Sequence, residues 1–318
     1  MPELPEVETI KRGLNKLIIS KTIKQITIQN PKSFIGNPAD ALNLSIKSLH
    51  RRGKAFIVNL DNQLSFVIHL RMTGQLVYVS PSQSSREGEQ SETAALPTPG
   101  TMRGNRVPSH KRSDRFGGGH PTDSFTNNLP DRHTRVQITF TDNSNLFFND
   151  QRKFGFVKLL STSKVGEEKF FQTLGPEPLE SDLTASEFHR RLQKHHSTTI
   201  KAALLDQTTV AGVGNIYADE SLFFARVHPA RRVSSITKSE SAQILAGIRK
   251  TMTDSLNSGG STIQNYVKSD GTKGDYLDLF AQVFGKTNTP CPRCKTPISK
   301  TRVAGRGTHF CPNCQKVL

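Results

Sequence analysis

The chain has 318 residues, 34% of them hydrophobic, with 43 Lys or Arg against 27 Asp or Glu and a formal net charge of +16, for a pI near 9.9. That length and apolar content exclude a chain too polar to fold and suffice for two or three domains with real cores, while the charge calls for a polyanion, nucleic acid first and a membrane surface second. No run of eighteen apolar residues, no signal-peptide core and no basic amphipathic anchor occurs, so the expectation is a soluble, intracellular protein.

The chain opens Met1 Pro2 Glu3 Leu4 Pro5 Glu6 Val7 Glu8. Proline at position 2 permits removal of the initiator methionine, which leaves a secondary amine at the terminus beside the Glu3 carboxylate. A terminal amine titrates near ~8 and a lysine near ~10.4, so roughly a tenth of the former is nucleophilic at neutral pH against under a thousandth of the latter. Pro5 suits the first turn of a helix whose apolar stripe is Val7, Ile10, Leu14 and Leu17, and its positive end disfavours a protonated amine nearby. Taken alone, Met-Pro is ordinarily a terminus without chemistry.

Runs rich in β-branched and aromatic residues follow at Ile23 to Ile28, Ala55 to Leu60, Leu64 to Leu70, Gln75 to Val79, Val136 to Phe140 and Leu146 to Phe148, the pattern of a β-sandwich or barrel. Residues 82–130, rich in Ser, Thr, Gly and Pro and without periodicity, read as a disordered or loosely ordered surface loop. A polar linker, 161–178, leads to a helical half with helical spacing at Glu187 to Leu192, Ile200 to Leu205, Ile216 to Phe224 and Ser239 to Leu256. Residues 286–318 carry seven Lys or Arg and no acidic residue.

Four constellations bear chemistry. Cys291, Cys294, Cys311 and Cys314 form C-x2-C-x16-C-x2-C, the spacing of two knuckles that bring four thiolates around one structural Zn(II), with the intervening residues as a hairpin; a redox dithiol and an iron-sulfur site are the competing readings. In that hairpin Arg306 lies between Gly305 and Gly307, where backbone can approach a phosphate, or is a solvated arginine on a basic ribbon. The run Gln207 to Tyr217 joins two helices through Gly212 and Gly214, either a tight turn or an anion site at the next helix start, with Asn215 as a donor. Arg51 to Lys54, His69 to Gly74 and Asp150 to Gly155 lie at strand edges, so Met72 and Phe154 are either core residues or wedges for a duplex, with Arg152 as the cation beside them.

Together these residues resemble the formamidopyrimidine-DNA glycosylase (Fpg/MutM) family over nearly the whole chain apart from 82–130. The opening Pro-Glu-Leu-Pro-Glu-Val-Glu, the run Gly212 to Glu220 and the terminal cysteine module carry the likeness, and Leu4 stands where the related endonuclease VIII branch generally has glycine. The resemblance implies an α+β architecture. Its parts are an N-terminal β-sandwich with flanking helices over 1–160, with 82–130 an insertion, a linker over 161–180, a helix-two-turn-helix domain over 181–285 and a zinc finger over 286–318. It implies a monomer on double-stranded DNA, cytoplasmic and at the nucleoid, that flips out and excises 8-oxoguanine and formamidopyrimidines, then cleaves the abasic site by β,δ-elimination.

By the same resemblance Pro2 attacks C1′, Glu3 handles the proton, Lys54 is the donor for β-elimination and Arg306 serves δ-elimination and phosphate binding. Met72, Arg152 and Phe154 match the triad that fills the space of the flipped base, His69, His133, Lys201 and Asn215 match DNA contacts, and 261–276 matches the loop that covers the everted base. Two departures stand out: Gln151 and Lys153 replace a proline and an arginine, and His196 replaces a basic residue just before Lys201, so its phosphate contact weakens or becomes pH-dependent. The rival readings are an endonuclease VIII-like enzyme for oxidised pyrimidines and a non-catalytic zinc-ribbon DNA-binding protein.

Overall fold

The structure, a computed structural model, describes residues 2–81, 115–119, 128–259 and 280–316. Helix α1 (Leu4–Ile18) precedes ten strands: β1 (Ile23–Ile28), β2 (Phe34–Ile35), β3 (Ile46–Arg52), β4 (Ala55–Leu60), β5 (Leu64–His69), β6 (Gly74–Val79), β7 (Arg115–Gly119), β8 (Thr134–Phe140), β9 (Asn145–Asp150) and β10 (Phe156–Ser161). They form two five-stranded sheets of order β1-β8-β9-β6-β7 and β2-β10-β5-β4-β3. Apart from the parallel β2–β10 pair, neighbours are antiparallel. The inner faces meet in one core that includes Phe56, Phe66, Phe140 and Phe148, as aromatic and β-branched residues on alternating positions require.

After the sheets come α2 (Lys169–Thr173), α3 (Ala185–Gln193), α4 (Ile200–Leu205), α5 (Asn215–Phe224) and α6 (Lys238–Asn257). Thr184, Thr199 and Thr237 cap α3, α4 and α6, each hydroxyl accepting a backbone N–H in the first turn, which satisfies donors the helix cannot. Eight of the ten residues of α5 are buried, so it is the inner helix around which the others pack. Strands β11 (Ser299–Val303) and β12 (Arg306–Phe310) close the chain as an antiparallel hairpin. No helix among the described residues is long and apolar enough to cross a membrane.

Helix α1 locks the two bodies together. Val7, Ile10, Leu14 and Ile18 sit in the sandwich core, whereas Leu4, at the start of the same helix, belongs to the helical core with Val213, Tyr217 and Met252. Glu177, 3% exposed, reinforces the joint: it accepts hydrogen bonds from the Arg51 guanidinium at 2.8 and 3.0 Å and from the Gly53 N–H at 2.6 Å. The start of α1 is thereby held at the seam.

The span 82–130, expected to lack structure throughout, contains β7, which pairs with β6 from Gln75↔Gly119 to Val79↔Arg115. The Phe116 ring lies over Gly13 and Gly118 faces Ile10, so small residues on both elements let strand and helix approach. Three consecutive glycines give no alternating signal, which hides such a strand in the sequence. Leu129 is also buried, with Val77, Val79 and Phe147. The remainder of that expected loop, residues 82–114 and 120–127, the covering loop 261–276 and the processing of Met1 lie outside the described residues. Strand β3, which periodicity does not announce, is a polar strand at a sheet end that buries only Ile46 and Leu49.

Candidate active site and nucleic-acid interface

Residues distant in sequence converge where α1 begins. Glu3 is the N-cap residue of α1, and its backbone N–H is accepted by the Glu6 carboxylate at 2.8 Å. Leu4 donates its N–H to the Gly212 carbonyl at 3.1 Å. The Glu3 side chain, 2% exposed, crosses to the start of α5 and accepts the Ile216 N–H at 3.0 Å through Oε1; Oε2, also buried, has no hydrogen-bond partner among the described residues. Burial first, and the Glu6 carboxylate after it, raise the Glu3 pKa to about 7 against the pull of Lys54. A carboxyl so poised both gives and takes a proton near neutrality.

Lys54, between β3 and β4 and also buried, donates from Nζ to the Val213 carbonyl at 2.9 Å. Burial lowers its pKa, and the nearby charge of Arg306 acts in the same direction. The turn 212–214 fits tightly against these groups. Gly212 has φ +84°, and a side-chain carbon at Gly214 would lie 2.5 Å from Glu3 Oε1. Glycine is required there by space as much as by conformation.

A second group of predicted residues gathers beside it. Buried Asp150 ties two turns: its carboxylate accepts from the Thr73 hydroxyl, from the Arg152 N–H at 3.2 Å and from the Gly155 N–H at 2.7 Å. The Thr73 hydroxyl itself accepts from the Arg152 N–H at 3.0 Å. Met72 and the 152–154 turn are therefore neighbours, and Lys153, at φ +61°, carries the sharp bend. Phe154 is 57% exposed and lies under the Arg152 guanidinium at 4.9 Å. Phe154 is therefore a surface aromatic with a cation stacked on it and not a core residue.

His69 is buried against Phe156 and Phe170. Burial, aided by Arg71 and Lys54, lowers its pKa to about 3. Because Nδ1 accepts the Arg71 N–H at 3.0 Å, the proton of the neutral ring is placed on Nε2. His133 is half-buried and takes a 3.1 Å contact from Arg132 Nε; its carbonyl accepts the Asp150 N–H, which connects this turn to the wedge. His196 is exposed and apart from these contacts, its carbonyl bonding Ser234.

Lys201 lies under the ribbon hairpin. It is fully buried, and its three ammonium hydrogens go to Asp219 Oδ1 at 2.6 Å, Thr308 Oγ1 at 2.8 Å and the Gly307 carbonyl at 3.1 Å. Asn215 Nδ2 donates to the same Gly307 carbonyl at 3.0 Å. Both residues thus hold the backbone next to Arg306, which follows a two-residue turn at Ala304 (φ +50°) and Gly305 (φ +72°). Positive φ at both positions is the hairpin geometry that matches strand twist. Asp219 Oδ2 accepts the His309 N–H at 2.8 Å, and the Glu220 carboxylate takes three successive N–H groups, of Gln282, Val283 and Phe284, at 2.9, 3.0 and 2.7 Å. Sequence reading gives Asp150, Asp219 and Glu220 no role of their own as organisers, although they lie within the runs Asp150 to Gly155 and Gly212 to Glu220.

The four cysteines have their sulfur atoms within 4.8 Å of one another and form no disulfide. Metal–sulfur bonds of about 2.3 Å set the corners of a tetrahedron about 3.8 Å apart, close to the 3.9 Å between Cys291 and Cys314 and the 3.4 Å between Cys294 and Cys311. The donor set fits one Zn(II) with every position filled, a structural and not a catalytic site. Arg293 anchors the knuckle to the end of α5, donating to the Phe223 carbonyl at 2.7 Å with its guanidinium over the Phe223 ring. Cys294→Ser is expected to lower zinc content below one ion per chain and to release residues 286–316 to proteolysis; stoichiometric zinc with an intact ribbon would refute this.

A near-neutral carboxyl and a buried amine at a two-body seam, an arginine-bearing zinc ribbon above them and an aromatic wedge alongside define a zinc-ribbon enzyme that performs acid–base chemistry on nucleic acid. Three family models match: "Formamidopyrimidine-DNA glycosylase N-terminal domain" over residues 1–157, "Formamidopyrimidine-DNA glycosylase H2TH domain" over 174–267 and "Zinc finger found in FPG and IleRS" over 289–317. The formamidopyrimidine-DNA glycosylase of Listeria innocua is 36% identical over 99% of this chain and 100% of its own. A complex of a Lactococcus lactis FPG mutant with Fapy-dG DNA matches with TM-score 0.78 at 30% identity, and MutM with DNA containing carbocyclic 8-oxo-G with TM-score 0.77 at 30%, each covering 99% of this chain and 100% of the other. The chain belongs to the formamidopyrimidine-DNA glycosylase family.

Proposed function

We propose that the protein excises oxidised purines, 8-oxoguanine and formamidopyrimidines, from duplex DNA and then cleaves the abasic strand through a Schiff base on Pro2. The observation that carries this is the convergence, at the start of α1, of the buried Glu3 carboxyl, Lys54 and the Gly212–Gly214 turn. The Pro2 nitrogen, freed by removal of Met1, forms a bond to C1′ while the glycosidic bond breaks and the base leaves with its electron pair and a proton. Ring opening breaks C1′–O4′, protonates O4′ and leaves an iminium at C1′, the protons moving through Glu3. The iminium acidifies C2′, so removal of that proton expels the 3′ phosphate, a sequence that needs no cofactor in the catalytic step. Lys54 serves this elimination, and Arg306 binds the phosphate and serves the second elimination.

Flipping a base requires unstacking at about a few kcal/mol, which Met72, Arg152 and Phe154 offset by filling the space. His69, its neutral ring offering Nε2–H, and His133 add phosphate contacts. The Zn(II) ion would hold the ribbon that carries Arg306, through Cys291, Cys294, Cys311 and Cys314. The enzyme is read as a monomer, and duplex DNA as substrate supports a place at the nucleoid.

Borohydride reduction during turnover on an 8-oxoguanine:cytosine duplex is expected to cross-link protein to DNA, with the adduct on the peptide beginning at Pro2 by mass spectrometry. A retained Met1 in active protein, or an adduct on a lysine, would overturn the assignment of the nucleophile. Absence of any adduct in a protein that binds lesion DNA would favour the non-catalytic reading. The same assay with thymine glycol separates the endonuclease VIII-like alternative.

A further inference from the structure

The turn against the reacting groups is itself held by a side chain with no part in the scheme above. Gln207 lies just after α4 and presents both ends of its amide to residues 212–213. Nε2 donates to the Val213 carbonyl at 2.8 Å and to the Leu205 carbonyl at 3.0 Å, while Oε1 accepts the Gly212 N–H at 2.9 Å. The Val213 carbonyl is also the acceptor for Lys54 Nζ at 2.9 Å. A carbonyl oxygen has two lone pairs, and here one goes to Gln207 and the other to Lys54.

The flanking positions are glycines, one in the left-handed region and one confined by Glu3, so the turn has little stiffness of its own. A two-point amide bracket removes that freedom by fixing the orientation of the Val213 carbonyl. We infer that Gln207 is a positioning residue for Lys54: it aims the Val213 carbonyl that holds the ammonium group beside Glu3. This rests on the role given to Lys54 in elimination. The charged and titratable groups around Lys54 are Glu3 and Glu6 on α1, His69 at the end of β5 and Arg306 on the ribbon. Gln207 supplies a neutral donor among them.

The test uses the full-length zinc protein in single-turnover strand scission of a duplex with a preformed abasic site. Gln207→Met keeps length and loses both hydrogen-bonding ends; scission should fall by about ten- to a hundredfold, with the Kd for a non-cleavable abasic analogue unchanged within about threefold. Gln207→Glu keeps the acceptor for the Gly212 N–H, removes the donor to Val213 and adds a carboxylate near Lys54. That charge raises the pKa of an amine and of a neighbouring carboxyl alike, so the pH profile of scission should move to higher pH by about one unit. Lys54→Ala is measured alongside. If Lys54→Ala is slow while both Gln207 variants keep the parent rate and profile, the inference fails and the reading of Lys54 stands. If Lys54→Ala is unimpaired, the reading of Lys54 fails first. Lower melting temperatures with an unmoved pH profile would also overturn the inference, since they would make Gln207 a part of the fold alone.

Discussion

Glu3→Gln should lower the rate of base excision by about 10²- to 10⁴-fold, the range for removal of a positioned general acid or base. Glutamine keeps an acceptor for the Ile216 N–H, which Glu3 Oε1 now accepts at 3.0 Å, so the seam between α1 and α5 survives and the loss falls on proton transfer. Strand scission at a preformed abasic site should suffer less, because the base has already gone. Two signs with pH follow from a folded pKa of about 7 against 4.5. Excision that uses the protonated carboxyl falls as pH rises through about 7. Stability follows the same direction: the folded state holds the extra proton, so the contribution of Glu3 is complete below about 4.5 and is lost on rising through about 7. The Glu3→Gln variant carries no such proton, so its melting temperature should gain on that of the parent between pH 5 and pH 8. Equal excision rates across pH 6 to 8, or no change in the melting difference, would sink this account of Glu3.

Gly214→Ala is expected to have the second largest effect, through geometry and without altering any charge. A methyl carbon at that position would lie 2.5 Å from Glu3 Oε1 and 2.6 Å from Oε2, distances that real side chains do not tolerate. Either the carboxyl leaves its place on the Ile216 N–H or the turn moves away from α1, and both displace Lys54, whose acceptor is the neighbouring Val213 carbonyl. Overpacking a tight contact destabilises by about 1–3 kcal/mol, and a displacement of about 1 Å at reacting groups lowers rates by about 10²-fold. Both excision and scission should therefore fall together, in contrast to Glu3→Gln. The measurement is the pair of single-turnover rates with thermal melting of the same samples. A variant with normal rates would mean that the carboxyl and the turn do not need their observed contact.

Much of this was legible in the residues. The strand over Ile23–Ile28, the strand over Ala55–Leu60 and the helix over Ile200–Leu205 have in the structure the bounds that the sequence pattern gives; the last two bury one face in the ordinary way, whereas the first buries only Ile23. The four cysteines announce their geometry through spacing, since two pairs of thiolates, each pair separated by two residues, suit the corners around one metal ion.

What the sequence determined by itself was the chemistry available: an amine-and-carboxylate start to α1, a glycine turn, a basic cysteine ribbon and the polyanion that its charge demands. Tertiary structure alone decided what each residue does with that chemistry. Burial moved Glu3 to near neutrality and made Lys201 a buried clamp for the ribbon, while Phe154 was left exposed. The physical reason is that proton affinity, exposure and hydrogen-bond partners depend on neighbours brought from more than a hundred residues away, as in Glu3 with Ile216, Lys54 with Val213 and Lys201 with Thr308. Local pattern carries no record of those distances.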